Sequence, residues 1–232
     1  MYHRGEFFGI TTDAHPHSGW FFCFGRSVLN WLKPLKKDAG VLSQEAPRSP
    51  NMPSLLREAV GGEILAVHRL DRETGGVMVF ARNKRAAAAL SEDIAAKRWE
   101  KRYLALVSSP WEENEGEMED LLYFDRSKNK VFPVKRDRKG VKRALLHYRF
   151  LKRHGGYALA EVTPVTGRTH QIRVQFASRK MPLYGDRKYG GTGEVLGLFS
   201  HSLTFFHPVT KKELSFSALP EKKGPWALFL EE

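Results

Sequence analysis

The sequence contains a single cysteine, Cys23, in 232 residues. One thiol closes no internal disulfide and builds no thiolate cage for a metal, which fits a reducing compartment. Long hydrophobic runs are missing as well. No segment approaches the roughly 20 apolar residues of a membrane span, and FFCFG at 21–25 is too short for the core of a secretion signal. A soluble, cytoplasmic protein without membrane contact is expected. Negative charge is scarce: 26 Asp and Glu stand against 38 Lys and Arg, for a net charge of +12. Such a surface attracts polyanions, because neutralised phosphates release their counterions, and nucleic acid is the expected partner.

What is present fits a packed protein. Hydrophobic residues at 41% and charged residues at 28% are ordinary globular usage, and the length suits one domain. Residues 1–24 show no clear periodicity and read as a poorly defined N-terminal arm. Its His3, His15 and His17 lack a helical i, i+4 pair, so no metal site is expected there. The remainder, 25–232, reads as one catalytic domain.

Within it, KPLKKDAG (33–40) reads as a basic turn and SQEAPRSPNMP (43–53) as a surface loop before a helical SLLREAV (54–60). Ile64–Val67 and Val77–Ala81 are β-branched, apolar runs on either side of a charged loop ending in Gly75 and Gly76. Lys84–Lys97 has helical composition, with Ala87, Leu90, Ile94 and Ala95 as the expected buried stripe. KRYLALV (101–107) reads as a strand. The acidic EENEGEMED (112–120) and the basic 126–143 read as loops or hairpin tips, the basic one suited to phosphate. LLHYRFLKR, YALAEVTPV and HQIRVQF alternate as strands of one antiparallel sheet, and LFSHSLTFFHP with ELSFSALP reads as a closing hairpin. The expected class is α+β, a mixed and mostly antiparallel sheet with flanking helices.

Three constellations carry chemistry. VHRLDRETGG (67–76) puts Asp71 in a short loop between two strands, where a carboxylate is both fixed and reachable; the plainer reading pairs it with Arg69 or Arg72 on an ordinary surface. TPVTGRTHQIRVQF (163–176) brings Arg168, His170 and Arg173 close in sequence, and guanidiniums this near one another call for anions, a carboxylate or an RNA phosphate. A partner arginine would keep Asp71 ionised at neutral pH, as a nucleophile requires. In WEKRYLALV (99–107), Tyr103 either stacks on an extruded base or is a core residue, and spacing does not separate the two. A hydrolase using His68 or His170 with Asp71 is a further reading, weak without a metal or a free histidine pair.

HRLDRETGG, then KRYLALV, then TGRTHQIRVQFASRKMPLYGDRKYGG, in that order, resemble the RluA-type branch of the pseudouridine synthases. VLNWLKP with AGVLSQ near the start and LFSHSLTFFHPVT with LSFSALP near the end extend the likeness to roughly residues 28–220. The resemblance implies the pseudouridine synthase catalytic fold with a central basic cleft, and an isomerase that converts uridine to pseudouridine in ribosomal or transfer RNA without a cofactor or metal. It makes Asp71 the catalytic aspartate and Tyr103 the ring stacked on the target base. Arg173 becomes the arginine paired with Asp71, with Arg168 in reserve. Arg69 and His170 fall among the substrate-binding residues, Arg69 beside the space left by the flipped base, and Leu203 packs near it. Gly75 stands where the family usually has Ser, Gln175 where it has His, and KPLKKDAG is longer than the usual KPxG turn. No separate S4-like domain and a monomer are expected. The alternative is a noncatalytic RNA-binding or ribosome-assembly protein on the same fold.

Overall fold

The structure is a computed structural model and describes residues 8–9, 22–23, 32–46, 49–108, 112–230. His3, His15 and His17 lie outside the described residues. The elements are β1 (Phe8–Gly9), β2 (Phe22–Cys23), β3 (Leu32–Lys37), α1 (Met52–Val60), β4 (Leu65–Ala66), β5 (Gly75–Ala81), α2 (Lys84–Ala95), β6 (Glu100–Ser108), β7 (Glu115–Asp125), β8 (Lys130–Val134), β9 (Val141–His154), β10 (Tyr157–Pro164), α3 (Gln171–Ser178), β11 (Leu198–Phe206) and β12 (Glu213–Ser217), followed by a 3-10 turn at Gly224–Trp226. They form two compact units, Met1–Glu100 with Ser202–Ala218, and Lys101–His201 with Leu219–Glu232.

In the first unit the strands run β3-β5-β11, with β4 on β5 and β12 on β11. β5 is buried along its whole length, which is why its GGVMVFA is a continuous apolar run. Val77, Val79, Ala81, Ala86, Leu90, Leu203 and Phe205 make its core. Both helices start on an asparagine cap, Asn51 accepting from the Ser54 N–H and Asn83 from the Ala86 N–H. The buried residues of α2 are Ala86, Leu90 and Asp93; of the expected stripe Leu90 is buried, Ala87 and Ile94 are half-buried and Ala95 is exposed. Asp93 can turn inward because its carboxylate takes the Arg98 guanidinium. KPLKK is the end of strand β3, and the turn is only Asp38–Gly40.

The second unit has the antiparallel order β6-β10-β9-β7-β8. The acidic EENEGEMED is largely strand β7. Its glutamates lie opposite a basic strand, Glu115 facing Arg149 and Glu117 facing His147, so charge pairing replaces the hydrophobic alternation that marks most strands. HQIRVQF is not a strand: it forms helix α3, started by His170 in the left-handed region at φ 50. Gln171 to Phe176 are all buried, so no polar face reveals the helical period. Ile172 and Phe176, four apart, enter the main core, while Val174 enters a second cluster with Leu122, Val131 and Ala144. Gln171 and Gln175 donate to the carbonyls of Leu145 and Met118.

Candidate active site

In the first unit Asp71 sits in the turn between β4 and β5, half-buried, with Arg69 and Arg72 exposed beside it. The turn is held by its own main chain and by anchors from the segment 37–43. The Leu70 N–H donates to Ser43 Oγ at 3.0 Å, and that hydroxyl donates back to the Leu70 carbonyl at 2.9 Å. The Gly40 N–H donates to the Arg72 carbonyl, and Arg72 Nε donates to the Gly40 carbonyl. Lys37 is the central strut: its ammonium, without exposed surface, donates to the carbonyls of Thr74 (2.7 Å), Arg72 and Asp38 (both 3.0 Å). Burial lowers its pKa to about 8, against the opposite pull of Asp38, Glu73 and Asp71. Across from Lys37, Gly76 has φ 120, a conformation that glycine alone adopts easily. The Asp71 carboxylate is therefore carried on a turn fixed at both ends.

His68 is engaged in structure. Its Nε2 accepts the Val79 N–H at 3.0 Å, and its ring meets the edge of Trp99, which stacks on Phe205. This role is unsuited to the general base of a hydrolase. Among the described residues, no group of three His, Cys, Asp or Glu could hold a metal ion. Leu203 is fully buried in the first unit's core and contributes by packing.

In the second unit Tyr103 lies on β6 opposite Val162, half-buried against the main core. Arg173 is buried on α3, and its Nε and Nη2 donate to Asp186 Oδ2 and Oδ1, both at 2.8 Å. This bidentate pair fixes the plane of the guanidinium. Tyr189 lies under the same guanidinium at 5.5 Å, accepts the Val131 N–H through its hydroxyl, and meets His170 Nδ1 at 2.9 Å. Arg173 and His170 thus share one neighbour. Arg168 is exposed; its Nε donates to the Arg143 carbonyl and its N–H to Gln171 Oε1.

Sequence reading missed Lys37, Asp186 and Tyr189. Lys37 begins K-D-A-G, a compact turn with Asp38 in the second place, and it was hidden by the earlier Lys33-Pro34. Asp186 and Tyr189 lie in GDRKYGG, quoted for its resemblance but given no role. Gln175, which stands where the family has His, bonds to Asp120 as well as to Met118.

Residues 34–178 match the family model described as RNA pseudouridylate synthase, a span that includes Asp71, Tyr103 and Arg173. The chain belongs to the RNA pseudouridylate synthase family. Curated relatives include ribosomal large subunit pseudouridine synthase C of Buchnera aphidicola subsp. Baizongia pistaciae, 36% identical over 66% of this chain and 51% of its own length. Another is ribosomal large subunit pseudouridine synthase D of Borreliella burgdorferi, 37% identical over 59% of this chain and 42% of its own. The chain spans about half the length of the curated relatives it matches. Among solved structures, human RNA pseudouridylate synthase domain containing 1 is similar with a TM-score of 0.70 at 21% identity, over 85% of this chain and 82% of that one. Domain containing 4 gives 0.68 at 23%, over 82% and 86%. These two carry the fold, and with it the expected pseudouridine synthase class of mixed, mostly antiparallel sheet.

Proposed function

We propose that the protein isomerises uridine to pseudouridine in structured RNA, with Asp71 as the catalytic carboxylate. The observation that carries this is the family match over 34–178, within which Asp71 lies on a turn braced by Lys37 and Ser43. The reaction breaks the bond from uracil N1 to ribose C1′, rotates the base and joins C5 to C1′, so the detached base must be held throughout. Asp71 serves by attack on the nucleoside or by driving formation of a glycal. Tyr103 stacks on the base and handles a proton, and Arg173 is the cation serving the Asp71 carboxylate. A guanidinium has five donors and Asp186 takes two of them, so the arginine can be oriented by one carboxylate and serve another. Arg69, Arg168 and His170 meet the RNA, with Leu203 as buried backing. Extruding the uridine costs a few kcal/mol, which stacking and basic contacts offset.

Ribosomal RNA is the first substrate to examine, since relatives at 36–37% identity are named ribosomal large subunit pseudouridine synthases, with transfer RNA second. We take the catalytic domain as 25–232 and the working form as a cytoplasmic monomer. Among the described residues, no helix is long and apolar enough to cross a membrane. The names of the curated relatives do not favour a noncatalytic RNA-binding protein. The decisive experiment is Asp71→Asn, assayed by mapping pseudouridine in RNA treated with each form. The variant should fold, bind RNA and make no pseudouridine; wild-type product from it would remove Asp71 from the chemistry.

A further inference from the structure

The chain's positive charge is unevenly spread. Residues 126–143 hold nine Lys and Arg against one Asp, a net +8 out of +12. They comprise β8, the turns on either side of it and the first three residues of β9. A run of like charges is usually a solvated surface, but here the cations are organised. Tyr123 on β7 and Phe132 on β8 are direct cross-strand partners and so share one face of the hairpin. The alternate residues Leu122, Phe124 and Val131 turn to the other face, toward Val174 of α3.

Three cations lie around the two rings. The Arg138 guanidinium lies 5.0 Å from the Tyr123 ring centre, and the ammonium groups of Lys128 and Lys130 lie 5.8 Å from that of Phe132. Gly140, at φ 88, brings the β8–β9 loop back over Tyr123. Arg143 is committed to Glu119. Lys128, Arg138 and Lys139 are exposed. An aromatic floor ringed by cations, whose acidic neighbours include Asp137 and the Arg143-paired Glu119, matches a polyanionic strand better than an apolar or acidic protein partner.

We propose that this hairpin face is a docking surface for the sugar-phosphate backbone of RNA. It rests on the reading of the protein as an RNA-modifying enzyme and adds to it a place where the RNA is gripped by charge. On the hairpin, α3 packs against one face and the docking surface is the other. Binding here is indifferent to base sequence and sensitive to salt.

The test uses the full chain and a labelled uridine-containing RNA stem-loop, with Kd measured over a salt series. One variant combines Lys128→Ala, Arg138→Ala and Lys139→Ala; Lys130 stays, because its ammonium also lies over Tyr189. The control combines Lys84→Ala, Arg85→Ala and Lys152→Ala, three exposed cations elsewhere. The hairpin variant should bind on the order of 10- to 100-fold more weakly at about 0.1 M salt, with the slope of log K against log salt reduced by about two to three. The control should keep the wild-type slope. Equal losses in both variants, or an unchanged slope in the hairpin variant, would overturn the proposal. If the wild type grips RNA through this face yet yields no pseudouridine from any RNA, the docking surface stands and the catalytic reading falls.

Discussion

Lys37 has no exposed surface, yet it carries a charge beside the turn that presents Asp71. An ammonium has three donors for three carbonyls; the neutral amine has two. Its pKa of about 8 in the folded protein lies below the ordinary 10.5, so between those values the unfolded chain holds more protons. This group therefore adds to stability as pH rises through that window, and below about pH 8 the cost of its charge is constant. Function should run the other way. Turnover should fall as pH passes about 8 while the melting temperature does not, checked by a pH–rate profile beside thermal melts. Lys37→Met should leave three carbonyls short of a donor, cost about 2–4 kcal/mol in urea titrations and sharply reduce turnover. The buried pair Arg173–Asp186 poses a related question. Asp186→Asn should destabilise by about 3–5 kcal/mol by removing the charged acceptor of two buried guanidinium donors, whereas Arg173→Met with Asp186→Leu should regain most of that stability without regaining activity. A double variant with wild-type turnover would make the pair purely structural.

At the scale of elements, the GDRKYGG loop is what aims Arg173. Gly191 donates to the Asp186 carbonyl, Tyr189 N–H donates to the same oxygen, and Asp186 N–H donates to the Leu183 carbonyl. A Cβ on Gly191 would lie 1.9 Å from the Leu183 carbonyl oxygen, so the loop cannot keep this form with any other residue. Gly191→Ala should lower stability by more than about 2 kcal/mol and reduce turnover further than its effect on RNA affinity, read from melts and a KM-against-kcat comparison. The same loop marks how far the sequence is legible. β5, β9, β10 and the β11–β12 hairpin follow from alternation or continuous apolar runs, and α1 from its composition and start signals. The strand β7 does not, because its glutamates find their partners on β9, distant in sequence. Helix α3 does not either: when every side of a helix is enclosed, Ile172, Val174 and Phe176 alternate with polar residues just as in a strand. At the candidate site, the turn that carries Asp71 was legible because a charged loop between two apolar strands stands out. Lys37 and Asp186 were not, since a buried charge is recognised only by partners that the fold brings to it.

For the whole molecule, the net charge of +12 acts on encounter before any chemistry begins. A field of this sign concentrates RNA near the surface and raises the association rate, and salt screens it over roughly 8 Å at physiological ionic strength. In the proposed reaction the bond changes at the base follow docking and involve groups such as Arg173, which is removed from water and feels bulk salt little. Salt should therefore divide the kinetic constants. Raising it from about 50 to about 200 mM should lower kcat/KM for an RNA substrate on the order of 10²-fold if about four phosphates are neutralised, with kcat at saturating RNA changed little. Steady-state rates at both salt concentrations, with folding monitored by circular dichroism, provide the check. A fall in kcat as large as that in kcat/KM would place the sensitivity in the catalytic step and detach the charge from docking. A salt-independent kcat/KM would mean that phosphate contacts contribute little to substrate capture, and that +8 out of +12 on one hairpin serves some purpose other than RNA.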